Sequence, residues 1–364
     1  MEQRQGAVEN LVSADAFWRG RRVFITGSTG FKGSWLALWL ARRGAVLAGY
    51  ALPATEDDDL FNAARVQDAC TTTLADIRDA TALASALRAF APQTVFHLAA
   101  QPLVRRSYAD PLETFSTNVI GTCNLLEAAR HVPGLESVVV VATDKCYRNR
   151  EWDWGYRESD ELGGNDPYSA SKAAAEIAVE SFRRSYYAAA GIGLASARGG
   201  NVVGGGDFAS DRLIPDIVRA YQTDTEVVLR YPHATRPWQH VLDCLAGYLR
   251  LAEAVTADRS APARAFNFGP DAAGEASVLT VLDALADTLP VRRRINDAPQ
   301  PHEASRLALD TSLALQRLGW RPRLDLVQTL EWTGTWYARH VGGEDARELT
   351  LGQIADYERM GPRP

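Results

Sequence analysis

Tyr168 and Lys172 stand four residues apart in the run Pro167-Tyr168-Ser169-Ala170-Ser171-Lys172, which has the composition of a helix start. Residues four apart share one face of a helix, so the ammonium can stand beside the phenol. A neighbouring positive charge favours the phenolate, which can take the proton of a hydroxyl while hydride leaves the same carbon. By itself the spacing recurs by chance in many helices. It gains meaning from Gly27-Ser28-Thr29-Gly30-Phe31-Lys32-Gly33, which joins the apolar run Val23-Phe24-Ile25 to a helical pattern. Such a turn needs one glycine for an unusual backbone angle and another so that the main chain can approach a pyrophosphate. A third allows the helix to pack closely on the strand. The first N–H groups of the helix then face the phosphates. All seven residues, Gly27 through Gly33, are candidates for a dinucleotide site.

These groups require a scaffold. Short apolar runs at Arg22–Thr26, Val46–Ala51, Thr94–Leu98, Ser137–Ala142 and Gly193–Arg198 read as strands. Helical patterns at Ser34–Arg43, Ala80–Phe90, Pro111–His131 and Ser169–Ala189 alternate with them. The alternation predicts an α/β fold, a Rossmann-like doubly wound parallel sheet whose ligands collect at the carboxyl ends of the strands. After Arg198 the pattern changes: Gly199–Asp211 is glycine-rich and irregular, Phe266–Pro270 reads as a strand and turn, and Trp332, Trp336 and Tyr337 mark a late helix. The expected division is a dinucleotide-binding domain over 15–198, to which 237–265 returns. A smaller C-terminal α/β substrate lobe is then built from 199–236 and 266–364.

With 364 residues the chain can bury a full core and form two lobes. A net charge of −6 argues against nucleic acid or an anionic membrane as partner, so an anionic ligand would need a local basic pocket. The 4 cysteines (Cys70, Cys123, Cys146 and Cys244) contain no C-x-x-C pair and read as reduced, buried thiols. The 6 histidines show no zinc-binding spacing, and no metal is expected. The polar start of the chain has no apolar signal core, and no run is long enough to cross a bilayer, so a cytoplasmic location is expected.

Together these features resemble the extended short-chain dehydrogenase/reductase superfamily over nearly the whole chain, and within it the sugar-nucleotide 4,6-dehydratases. Leu98-Ala99-Ala100-Gln101 matches the segment that lines the cofactor after the fourth strand, and Asp76-Ile77-Arg78-Asp79 the turn that contacts the adenine. Ala142-Thr143-Asp144-Lys145 matches the Thr-Asp-Glu of these dehydratases, with lysine in third place; simple epimerases have the hydroxyl residue without the acid–base pair. Glu151–Glu158, Leu162–Ser169, Gly200–Asp207, Arg236–Val241 and Leu318-Gly319-Trp320 are similar to the branch that acts on CDP-glucose.

The resemblance implies NAD as cofactor and CDP-glucose as the small-molecule substrate. It implies oxidation at C4, loss of water across C5 and C6, and hydride return to C6. In that scheme Tyr168 is the base, Lys172 tunes it, and Thr143 hydrogen-bonds the C4 oxygen. Asp144 protonates the departing C6 oxygen, and Lys145 either takes the C5 proton or remains cationic and stabilises the enolate. Asn201, Arg212 and Arg236 are candidates for the substrate diphosphate, and His302 for the border of the nucleotide pocket; any one arginine reads equally well as a solvated surface charge.

Several alternatives remain open in the sequence. The end of the second strand, Gly49-Tyr50-Ala51-Leu52-Pro53, has neither the acid that often binds the ribose in NAD sites nor an arginine for a 2′-phosphate. Asp144-Lys145, by spacing alone, fits a surface ion pair at a strand end. Trp152, Trp154 and Trp238 read either as walls of the site or as core and interface. A nucleotide-sugar 4-epimerase would use Thr143, Tyr168 and Lys172 but have no use for Asp144 and Lys145; intact Thr143, Tyr168 and Lys172 count against a non-catalytic NAD-binding regulator. The helices at Pro111–His131 and Ser169–Ala189 are long enough to pair across a two-fold axis, so a homodimer or dimer of dimers is expected.

Overall fold

The computed structural model describes residues 14–54, 59–259, 264–271, 274–296 and 306–361. Its strands are β1 (Arg22–Thr26), β2 (Val46–Ala51), β3 (Thr71–Leu74), β4 (Thr94–His97), β5 (Ser137–Thr143) and β6 (Gly193–Gly199). They continue with β7 (Asn201–Val203), β8 (Glu226–Leu229), β9 (Thr235–His240), β10 (Ala265–Phe268), β11 (Glu275–Ser277) and β12 (Arg292–Ile295). Seven of them form one parallel sheet in the order β10-β6-β5-β4-β1-β2-β3. β5, Ser-Val-Val-Val-Val-Ala-Thr, is buried along its whole length, as expected of a strand covered on both faces by helices. The direction of winding reverses between β1 and β4, which opens a crevice at their carboxyl ends.

The sequence missed β3 because Thr71-Thr72-Thr73-Leu74 is polar and largely exposed at the sheet edge, without an apolar signal. The helix after β1 starts at Phe31 rather than Ser34, with Gly30 as its cap. The long helical patterns also prove discontinuous: π-type turns interrupt them at Ser116–Ile120 and Arg183–Tyr187.

β6 ends at Gly199 and β7 starts at Asn201, so one residue carries the chain from the large sheet into a three-stranded sheet of order β11-β9-β7. β8 and β12 form a separate parallel pair. Residues 266–268 belong to the large sheet, not to the second lobe where the sequence reading places them. β10 pairs with β6, and the Phe268 ring packs edge-on against Tyr248 of the helix Val241–Ala257 at 5.9 Å. The last helix, Ala346–Arg359, also returns to the first domain: Trp39 Nε1 donates to Glu358 at 2.7 Å, and Trp39 stacks edge-on with Tyr357 at 5.6 Å. No described helix is long and apolar enough to cross a membrane.

Asp243 fastens that C-terminal region to the core. Fully buried in the helix Val241–Ala257, its carboxylate accepts from the Arg323 N–H at 2.6 Å, the Leu324 N–H at 3.1 Å and the Tyr357 hydroxyl at 2.7 Å. Asp243→Ala would leave all three donors buried without an acceptor. Each orphaned group costs roughly 1–3 kcal/mol, so urea unfolding should show a loss of at least about 3 kcal/mol. A loss below about 1 kcal/mol would mean that water reaches these donors.

Candidate active site

The glycine loop is shaped by contact with its own backbone. Gly27 has φ +72°, and a Cβ there would lie 2.7 Å from Ala99 N, at the exit of β4. A Cβ on Gly33 would lie 2.1 Å from the Gly27 carbonyl oxygen, so only glycine lets the helix Phe31–Arg42 seat on this turn. Gly30 is different: it is exposed, and a Cβ there would approach nothing nearer than Gly27 O at 3.5 Å. No side chain caps the helix, so its first N–H groups face an open cradle that suits a phosphate.

The other loop residues divide by direction. Thr29 Oγ1 donates to Leu52 O at 2.8 Å, and Phe31 and Lys32 are half-buried. Ser28 is turned into the sheet: it is fully buried with its hydroxyl 3.1 Å from Thr72 Oγ1, in space that Gly49 leaves free.

Leu98, Ala99 and Ala100 follow β4 along the crevice, half-buried. The Gln101 side chain is committed elsewhere, since its Nε2 donates to Leu103 O and Thr114 Oγ1 while its Oε1 accepts from Leu103 N. Ile77 is buried against Gly121. Asp76 grips Arg78, which holds its carboxyl below the usual range, while its main-chain carbonyl accepts from the Tyr50 hydroxyl at 3.0 Å.

The catalytic candidates meet at the end of β5. Thr143 is its last residue, and its Oγ1 donates to Asp144 Oδ1 at 3.0 Å while accepting the Lys145 N–H at 3.3 Å. The Tyr168 phenol, which arrives on the helix Pro167–Phe182, comes close enough to the same hydroxyl for the two to act on each other. Asp166 caps that helix through the Ser169 N–H at 2.9 Å. Asp144 is fully buried, and its Oδ2 has no hydrogen-bond partner among the described residues. Gly200 leaves room for this oxygen, because a Cβ there would lie 3.2 Å from it. The surface ion pair that spacing alone allowed is therefore ruled out for Asp144. Lys145 is half-buried.

Electrostatics in this chamber are set by burial. The phenol of Tyr168 is pushed up to about 12, first by burial, against the Thr143 hydroxyl and the Arg212 guanidinium, which favour the phenolate. Lys172 is buried, and its Nζ donates to the Val141 carbonyl at 2.9 Å. Burial brings it down to about 8, with Lys32 pushing the same way and Glu176 opposing. Burial also lowers Lys32, whose ammonium lies 6.0 Å from the Tyr248 ring. His97, behind the site, is brought down to about 3 by burial; its ring bonds Thr26 at 2.7 Å and Thr122 at 3.0 Å.

Of the substrate candidates, Arg212 acts electrostatically on the phenol and pairs with Asp207 at 2.7 Å, which holds the guanidinium above its ordinary range. Asn201 lies opposite Trp238 in the β7–β9 register, and Arg236 is two residues before Trp238, so all three share one face of the small sheet. Arg236 is buried, and its Nη1 donates to Thr235 O at 2.8 Å. His302 lies outside the described residues. Trp238 is a core residue whose indole donates to Ala276 O at 3.0 Å, whereas the rings of Trp152 and Trp154 meet tilted at 5.2 Å, with Trp154 exposed. Among the described residues no cluster of His, Cys, Asp or Glu could hold a metal ion.

Sequence reasoning missed Glu176 and Arg198. Glu176 Oε2 accepts from Arg198 Nη2 at 2.5 Å and from Ser196 Oγ at 2.9 Å, one helical turn beyond Lys172. The visible signal was a glutamate four residues after the lysine, which is also an ordinary surface pattern.

Comparison with known proteins agrees with this architecture. The family model described as GDP-mannose 4,6 dehydratase matches residues 24–333. A CDP-glucose 4,6-dehydratase of Salmonella typhimurium is 45% identical over 348 residues, covering 94% of this chain and 97% of that protein. A dTDP-glucose 4,6-dehydratase from Streptomyces venezuelae, solved with NAD bound, superposes with a TM-score of 0.75 at 27% identity, over 88% of this chain and 98% of that one. The UDP-glucose 4-epimerase of Thermus thermophilus, in complex with NAD, gives a TM-score of 0.74 at 25% identity, over 88% of this chain and 99% of that one. The chain belongs to the GDP-mannose 4,6-dehydratase family, the sugar-nucleotide dehydratases of the extended short-chain dehydrogenase/reductase superfamily.

Proposed function

We propose that the protein converts CDP-glucose to CDP-4-keto-6-deoxyglucose and water, as a lyase that returns its NAD unchanged. The observation that carries the reading is the convergence of a phenol, a hydroxyl and a buried carboxyl: Thr143 donates to Asp144, and the Tyr168 phenol lies close to the same hydroxyl. The open cradle at Gly30 and the uncapped helix behind it fit a dinucleotide pyrophosphate. Bound NAD would supply hydride acceptance at C4 and hydride return at C6. Its ribose would meet Lys172, and its adenine the turn at Asp76 and Ile77. Specificity for the cytidine base rests on the identity with the Salmonella enzyme.

Tyr168 takes the C4 hydroxyl proton, and Thr143 holds the C4 oxygen. The resulting ketone acidifies C5–H, and Lys145 removes that proton and gives one back to C5 once C6 has been reduced. Asp144 gives a proton to the departing C6 oxygen; buried and short of one partner, it is placed to meet an incoming hydroxyl. Asn201 and Arg236, sharing a face of the small sheet, bind the diphosphate, with Arg212 at the sugar end beside the phenol. The large sheet with its returning segments thus serves the cofactor, and the β7–β9–β11 lobe the sugar nucleotide. A 4-epimerase would share the scaffold, yet would have no use for a carboxyl beside the C4 hydroxyl-binding threonine.

The helices Pro111–Phe115 and Pro167–Phe182, with the turns that follow each, expose Leu112, Phe115, Ile120, Ile177 and Tyr186, an apolar set suited to two-fold pairing. A homodimer in the cytoplasm is the arrangement we favour.

Incubation with CDP-glucose followed by alkali should develop the absorbance of a 4-keto-6-deoxy sugar; CDP-galactose formed without that signal would replace this reading with epimerisation. Asp144→Asn should cut kcat for dehydration about 10²- to 10³-fold, the usual worth of a positioned acid. NADH absorbance should still appear, because oxidation at C4 does not use the carboxyl. In Lys145→Met, solvent deuterium uptake at C5 should fall with kcat; uptake at the wild-type rate would mean that another base serves C5. Replacing Leu112 and Ile177 by aspartate should give monomers by light scattering, and an unchanged mass would place the interface elsewhere.

A further inference from the structure

Behind Lys172 lies a charged pair that the proposed reaction does not itself use. Glu176 and Arg198 are 5% exposed or less and joined at 2.5 Å. Ser196 bonds the same carboxylate oxygen at 2.9 Å. Arg198 Nη1 also donates to the Tyr147 hydroxyl at 2.9 Å, and the guanidinium lies 5.0 Å from that ring. Tyr147 in turn donates to Asn267 Oδ1 at 2.7 Å. The pair is therefore held from β6, from the turn after β5 and from β10.

One carboxylate oxygen escapes this grip: Glu176 Oε1 is buried with no hydrogen-bond partner among the described residues. Glu176 follows Lys172 by four residues on the helix Pro167–Phe182, so the two side chains share a face. The direct hydrogen bond that the structure gives the Lys172 ammonium goes to a neutral carbonyl, that of Val141. A buried ammonium with only a neutral acceptor loses its proton easily unless an anion stands near.

From this geometry we infer that Glu176, fixed by Arg198 and Ser196, is a positioning residue that keeps Lys172 protonated for catalysis. Its negative charge supplies the potential, while Arg198 and Ser196 hold the carboxylate in place through its other oxygen. The groups acting on Lys172 come from every element packed around it. Glu176 favours the ammonium and Lys32 opposes it; Cys146, whose thiol burial pushes up, stays uncharged while Lys172 titrates, and on β4 buried neutral His97 feels the lysine in turn. Glu176 is the anion of this set. The inference rests on the proposed role of Lys172, since an amine that has lost its proton can neither favour the Tyr168 phenolate nor offer a charged donor to a ribose.

The test uses full-length holoenzyme with lysines carrying ¹³C at Cε, the Lys172 signal being assigned by its loss in Lys172→Met. In Glu176→Gln, Lys172 should titrate about one pH unit or more below wild type. The alkaline limb of kcat should move down by the same interval, with KM for CDP-glucose little changed. Glu176→Asp, which restores the charge, should recover most of both shifts. A Lys172 titration and an alkaline limb that stay at their wild-type positions in Glu176→Gln would overturn the assignment, as would a general loss of activity at all pH values with no shift. Glu176→Gln leaves Arg198 unpaired, so Glu176→Gln/Arg198→Met provides a second route if the single variant does not fold. Lys172 should again titrate lower, and an unmoved signal there would equally overturn the role. The NMR titration needs no substrate. A wild-type protein that makes no keto sugar from CDP-glucose would remove the proposed reaction and leave the titration to decide on Glu176 independently.

Discussion

The hydroxyl of Thr143 holds the site together. It donates to Asp144, receives the Lys145 N–H and lies close to the phenol of Tyr168, so that the candidate groups gather around one oxygen. Its own position is set by the sheet. Thr143 is the last residue of a strand buried at all seven positions and paired in register with both β4 and β6. A slip of one residue in that register would turn Thr143 to the other face and separate it from Tyr168. The run of four valines thus does more than fill the core, because its register places the chemistry.

The protein keeps several ionisable groups of the candidate site away from water. Asp144, Lys172, Glu176, Arg198 and Arg236 are all buried. Isolated, each would be expensive, and removing one member of a buried pair typically costs about 3–5 kcal/mol. Glu176 and Arg198 offset each other at close range, and Asp243 is satisfied by three donors. Asp144 and Lys172 are less well served, one with an unpartnered oxygen and the other with a neutral acceptor. Stability alone gives no reason to leave these two incompletely paired. Such deficits persist where a ligand completes the set.

Much of this could be read in the chain before any coordinates. β1, β2, β4, β5 and β6 announce themselves by apolar β-branched runs, and the helices between them by their period. The glycine spacing carries its own geometry, since the contacts that forbid a Cβ at Gly27 and Gly33 are the reason those glycines are there. Other features were hidden for physical reasons. β3 is three threonines and a leucine at an exposed edge, and its strand character comes only from pairing with β2. The π-type turns at 116–120 and 183–187 change the helical bond pattern without changing composition. Gln101 sits in a cofactor-lining motif, yet its amide is consumed by Leu103 and Thr114, which no local pattern reveals. Arg198 and Glu176 become a pair only when β6 and the helix Pro167–Phe182 are packed together.

The shared scaffold with 4-epimerases shows where reaction choice resides. Oxidising C4 asks for a phenol, a hydroxyl and an ammonium, and these come from the end of β5 and from one helix face. Dehydration adds two demands on the neighbouring carbons, a base at C5 and an acid at C6. In the proposed scheme both fall to the two residues that follow Thr143, in the single turn Asp144–Cys146. That turn directs the Asp144 side chain inward beneath Gly200, at the step where the chain leaves the large sheet for the small one. An acid on this turn therefore reaches the seam between the cofactor-facing and sugar-facing parts of the fold, where C6 of a hexose held at C4 by Thr143 would lie. Glycine at position 200 is part of the same arrangement, because a side chain there would press on both Pro237 and the Asp144 carboxylate. The lyase chemistry is thus an addition of one short turn and one missing side chain to a scaffold already built for oxidation at C4.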